Sequence, residues 1–231
     1  MTDNKQKLKK IFSYLIPFVL APLTVIGGLA VFRSKGYAYI TLAVAVLAVF
    51  LFFCGFEKKR TGTRRLVIIA VMTALAVAGR FIFSPIPGVS PITPLAIIAA
   101  LYMGGETGFL VGSMAALISN FYAGQGVWTP FQMLAWGLVG LIAGLLAKKL
   151  RGNTVRLSIY AFFSGILYSL IMDIYTVFWM HQIFSLKLYI TTVAASLLHT
   201  GIYAVSNVIF IILLEKPIGE KLERIKTKYG I

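Results

Sequence analysis

Acidic residues, cysteine and histidine are all scarce in this chain. Seven aspartates and glutamates stand against 22 lysines and arginines, a formal net charge of +15, and only 13% of the 231 residues are charged. Soluble domains carry about a quarter charged residues. Here 59% of residues are hydrophobic and the mean hydropathy is +0.88, more apolar surface than a soluble fold can hide, so lipid must cover much of it. The single cysteine, Cys54, lies in an apolar run and excludes an intrachain disulfide. Two histidines, His181 and His199, and the scattered acids offer no metal-ligand spacing, so neither a metal nor a cofactor is expected. There is no GxxxxGK[ST] phosphate loop, no HExxH and no paired-carboxylate arrangement. These absences argue against a self-powered ATPase and a membrane metalloenzyme. No polar rings suggest a channel, and no repeated halves suggest a secondary transporter. The basic residues fall in short clusters between apolar runs, a pattern of cytoplasmic loops rather than of a nucleic-acid-binding domain.

What is abundant is apolar sequence in lengths that suit a bilayer, about 20 residues per span. Residues 11–32 form the first run. It is too long for a signal-peptide core and has no convincing cleavage site, so it reads as a retained helix. Residues 37–56 form the second, and the short link at 33–36 makes the pair an antiparallel hairpin. A third helix is expected over 66–83. Residues 84–94 (SPIPGVSPITP) contain four prolines and cannot form a regular helix. Residues 95–103 and 107–120 are short helices on either side of a Gly104-Gly105-Glu106 turn, tolerable in a membrane only when shielded by neighbours. An uncharged loop at 121–130 precedes helices over 131–147, 157–180 and about 188–214, and a mixed-charge segment ends the chain.

The expected fold is therefore an all-α integral membrane protein of about eight spans. Residues 1–65 would form a tail, hairpin and basic loop, 66–214 a six-helix core, and 215–231 a cytoplasmic tail. Lysine and arginine set the orientation. The N-terminal tail and the segments 57–65, 148–156 and 215–231 hold most of them, and eight spans place all four on one side. Both termini should be cytoplasmic.

Two further patterns bear on function. Ala70, Ala74 and Ala78, four residues apart, give the third helix a stripe without side-chain bulk, which lets another helix approach closely. Gly108, Gly112 and Ala116, followed by Gly140 and Gly144, form similar stripes that suit packing within the protein. Polar groups also gather at the outer end. Arg80 lies about 21 Å along its helix from Leu66, and Asp173 about 24 Å along from Leu157, at 1.5 Å per residue, so the two stand at one depth and can pair. Ionisable groups at such depth are candidates for function. Asn120, Gln125, Trp128, Thr129, Gln132 and Trp136 reach the same side. Amides, indoles and a cation beside irregular loops suggest a ligand pocket that opens outward. A structural ion pair and interfacial aromatic anchors are the competing readings. His199 reads as a packing residue.

These residues bear a resemblance. The stretch 70–147 resembles the substrate-binding membrane subunits, or S components, of energy-coupling factor (ECF) vitamin transporters. The likeness rests on the alanine stripe, RFIFSPIP at 80–87, GGETG at 104–108 and NFYAGQGVWTPFQM at 120–133, and extends over the six-helix core. It implies a small-molecule vitamin captured near the outer face. It also implies docking, through Ala70, Ala74 and Ala78, on a transmembrane coupling subunit that carries two cytoplasmic ATPases, in the plasma membrane of a prokaryote. The loop at 124–133 looks like a cobalamin or corrinoid subgroup, with riboflavin or another heteroaromatic vitamin as the alternative. The resemblance implies no catalytic residues. A membrane enzyme acting on a lipid or isoprenoid, or a structural membrane protein, would be a different class altogether.

Overall fold

The computed structural model describes residues 62–181 and 184–229, with isolated positions at 15, 19, 20, 22–24, 27 and 43. The expected N-terminal hairpin lies outside the described residues. Those described form helices and no strands: α1 (Gly62–Phe83), α2 (Ile92–Met103), α3 (Gly105–Ala123), α4 (Trp128–Leu145), the short α5 (Ala147–Leu150), α6 (Thr154–His181) and α7 (Leu186–Tyr229). Four of them, α1, α4, α6 and α7, are long and apolar enough to cross a membrane.

The shorter α2 is the axis of the bundle. Its residues Ile92–Tyr102 are all buried, and it packs against α1, α3, α4, α6 and α7. A helix that is apolar all round belongs in a core. Here the neighbours supply the shielding that its length demands. The turn into α3 depends on Gly104, at φ +97°, a backbone region costly for residues with a Cβ.

The glycine stripes of α3 and α4 face each other. A Cβ on Gly140 would lie 2.4 Å from the Gly108 carbonyl carbon, and one on Gly112 would lie 2.5 Å from the Trp136 carbonyl oxygen. The two backbones are in contact, so the glycines are internal packing surface. The alanine stripe of α1 is the opposite case. Ala70, Ala74 and Ala78 are all exposed. With Val77 of α1 and with Met114 and Ile118 of α3, they line an apolar groove of about 470 Å³.

Three boundaries differ clearly from expectation. α2 and α4 each begin three residues earlier than expected, because Pro94 and Pro130 sit in their first turns, where a missing N–H breaks no helical bond. α7 does not end near Leu214. It continues through Pro217 to Tyr229, because Ile218, Leu222 and Ile225 give the charged segment an apolar stripe that joins the core. Gly219 sits against the Tyr102 ring, and Tyr102 Oη donates to Glu215 at 2.8 Å.

The basic helix ends meet at one end of the bundle. Arg64 lies over the Tyr229 ring at 4.6 Å, Arg65 pairs with Glu106 at 3.4 Å, and Arg151 pairs with Glu223. The positive-inside rule would set this end toward the cytoplasm; the loops at 84–91 and 124–127 lie at the opposite end, called the outer end below.

Candidate functional site

At the outer end of the bundle, Asn120 is the hub of a buried polar network. It is fully buried and is delivered by the last turn of α3. Its Oδ1 accepts from Arg80 Nη1 at 2.9 Å. Its Nδ2 donates to Thr129 Oγ1 at 2.9 Å and to Gln132 Oε1 at 2.8 Å, both on the first turns of α4. Arg80 Nη1 also donates to Ser119 Oγ. Thr129 Oγ1 donates to Gln125 Oε1 at 2.9 Å, and Gln125 Nε2 reaches the Leu117 carbonyl at 2.9 Å. Gln125 and Thr129 therefore fasten the 124–127 loop onto α3. Buried polar groups carry a penalty of about 1–3 kcal/mol when unpaired, and this network pairs them.

An aromatic cluster lies against the network. The Trp136 and Tyr168 rings stack at 4.8 Å with an interplanar angle of 18°, and Tyr203 lies 4.9 Å from Tyr168. Trp136 Nε1 donates to Tyr203 Oη at 2.7 Å. That hydroxyl is also bonded to Thr93 Oγ1 at 2.6 Å. Gln132 Nε2 points to Tyr168 Oη at 3.4 Å. The Arg80 guanidinium sits over the Trp136 ring, 5.3 Å from its centroid, within cation–π range. Six helices thus converge: Arg80 from α1, Thr93 from α2, Asn120 from α3, Gln132 and Trp136 from α4, and the two tyrosines from α6 and α7.

Of the residues singled out in the sequence, Arg80, Asn120, Gln125, Thr129, Gln132 and Trp136 meet in this one region. Trp128 opens α4 rather than lying in the loop. It stands further out, with its ring 6.4 Å from Tyr175 and its Nε1 donating to Gly124 O at 3.3 Å. The expected pair between Arg80 and Asp173 is not formed. Depth along a helix fixes height but not direction. Asp173 points from α6 to α7, where it accepts from Ser196 Oγ at 2.9 Å, while Arg80 points to α3 and α4. His199, exposed on α7, lies beside Gly88 of the proline-rich loop. The sequence reading missed Thr93, Ser119, Tyr168 and Tyr203. The one available signal was a pair of phenol hydroxyls, Tyr168 and Tyr203, deep inside apolar runs, where each must find a partner. No group of three or more His, Cys, Asp or Glu side chains placed to hold a metal occurs among the described residues.

The arrangement offers flat aromatic faces, amide and hydroxyl hydrogen-bonding groups and one fixed positive charge, in a setting enclosed by helices. Aromatic rings with a few convergent polar groups are the usual make-up of a small-molecule site. Residues 60–224 match the family model described as ECF-type riboflavin transporter, S component. No curated protein and no solved structure matches the chain.

Proposed function

The chain belongs to the S-component family of ECF-type riboflavin transporters, and from that premise we propose that the outer-end cluster binds a flat heteroaromatic vitamin of the riboflavin class. The family is one of transporter components, not of enzymes, and its members are substrate-binding membrane subunits. One observation carries the choice of ligand shape: the near-parallel stack of Trp136 on Tyr168. Stacked rings buried beside amides make an aromatic-rich environment, a chemistry that suits an isoalloxazine-like ring system. Asn120 and Gln132, bonded to each other beside the rings, supply amides of the kind that pair with ring carbonyls and N–H groups. A corrinoid, which the 124–133 loop favours on sequence alone, is bulkier and less planar, and the family description does not support it. A lipid-modifying enzyme has no support from the family.

The exposed alanine stripe of α1 supports the second half of the reading. Ala70, Ala74 and Ala78 line an open apolar groove, which suits close approach by a helix of the coupling subunit. That subunit, with two cytoplasmic ATPases, supplies the energy this chain has no means to generate. The assembly would sit in a prokaryotic plasma membrane.

The test is direct. Protein purified in detergent from riboflavin-fed cells should carry a flavin absorption band, quench riboflavin fluorescence on titration and consume neither ligand nor ATP. Co-purification of a corrinoid spectrum instead would reverse the choice of ligand, and turnover of an added lipid would remove the transporter reading.

A further inference from the structure

Arg80 has no acidic partner among the described residues, and each acid there is turned elsewhere. Glu106 pairs with Arg65 and Glu223 with Arg151 at the opposite end. Glu215 takes the Tyr102 hydroxyl, and Glu220 lies on the same cytoplasmic stretch of α7. Asp173 accepts from Ser196. The guanidinium is half-buried and spends a single nitrogen, Nη1, on two neutral acceptors, Ser119 and Asn120. Its remaining donors, on Nε and Nη2, have no acceptor among the described residues.

An arginine cannot shed this charge by losing a proton. Holding it at membrane depth without a counter-ion is costly, and such residues mark substrate paths. The Trp136 ring offsets part of the cost. The two neutral bonds orient the fork while leaving its other edge available, the geometry that takes a carboxylate or phosphate through two parallel hydrogen bonds.

We propose that Arg80 is the docking point for an anionic group on the ligand, so that the molecule bound is a planar heteroaromatic bearing a phosphate or carboxylate rather than a neutral vitamin. This rests on the outer-end cluster being the ligand site. Arg80 then sets specificity by charge, while Trp136 and Tyr168 set it by ring shape.

The experiment compares two probes that differ by one phosphate, riboflavin and riboflavin 5′-phosphate, titrated into the full-length protein in detergent. The phosphorylated probe should bind more tightly by about tenfold or more, the value of a charge-assisted hydrogen bond. The gap should narrow as salt is raised. Arg80→Gln should equalise the two probes, and Arg80→Lys, which keeps the charge without the fork, should retain part of the preference. Equal affinities in the unaltered protein, or a preference untouched by Arg80→Gln, would overturn the inference while leaving vitamin binding intact. If Arg80→Gln does not elute as a single species on gel filtration, the probe pair on the unaltered protein and Arg80→Lys decide the matter. Failure of both flavins and of cyanocobalamin to bind would overturn the ligand-site reading, and this inference with it.

Discussion

Arg80 lies over the ring of Trp136 at 5.3 Å and bonds to Asn120 on the neighbouring helix. This places it at the junction between two surfaces of one helix. Along one face of α1, Ala70, Ala74 and Ala78 stand exposed. Two residues further on, about half a turn round the helix, Arg80 enters the buried outer cluster. Under the proposed docking, a displacement of α1 would be felt at the aromatic cluster through this side chain.

Removing the ring that stacks on Tyr168 should weaken the site most. Trp136→Ala is expected to lower flavin affinity by about 10- to 100-fold, roughly 1–3 kcal/mol for a buried aromatic contact, read by fluorescence quenching. Affinity equal to that of the unaltered protein would move the ligand away from α4.

Ala74→Leu tests the groove. The added bulk should block a closely approaching helix, so vitamin uptake in cells that carry the coupling subunit and ATPases should fall severely, with the isolated protein still binding ligand. Loss of ligand binding together with uptake would make the stripe internal packing instead.

Asn120→Leu removes the hub. Its loss leaves Thr129, Gln132 and Arg80 short of partners in a buried setting, at about 1–3 kcal/mol for each unsatisfied group. The variant should show a lower melting temperature in detergent and weaker ligand binding. An unchanged melting temperature would mean that water or side-chain rearrangement satisfies these groups without Asn120.

Gly140→Ala probes the α3–α4 contact. The new Cβ would sit 2.4 Å from backbone, so the helices must move apart at a cost of about 1–3 kcal/mol for overpacking. A lower melting temperature with flavin stoichiometry preserved is the expected result. Gly152→Ala is a poor control, since Gly152 has φ +76°. Gly201→Ala is a sound one, because its Cβ meets nothing within 4 Å, and its melting temperature should stay close to that of the unaltered protein.

The long spans of α1, α4, α6 and α7 were legible in the sequence because apolar length is a direct physical requirement of a bilayer. The glycine and alanine stripes were legible too, because four-residue spacing places them on one face. Which stripe is internal was not, since spacing carries no information about the neighbour. Asn120, Gln132 and Arg80 stood out as polar residues in apolar surroundings. Tyr168 and Tyr203 did not, because tyrosine in an apolar run reads as one more ring, and only the fold turns the two hydroxyls toward Gln132, Trp136 and Thr93. The end of α7 was misread for a related reason. The mixed charge of the segment signals a stop, but Ile218, Leu222 and Ile225 join the core and Gly219 packs against Tyr102.

The shortness of α2 has a consequence for the membrane itself. Twelve residues rise about 18 Å at 1.5 Å each, against about 30 Å of hydrocarbon in a typical bilayer. α2 thus covers little more than half of that depth, and at least one of its ends lies inside the hydrocarbon layer, sheltered by the longer helices packed around it.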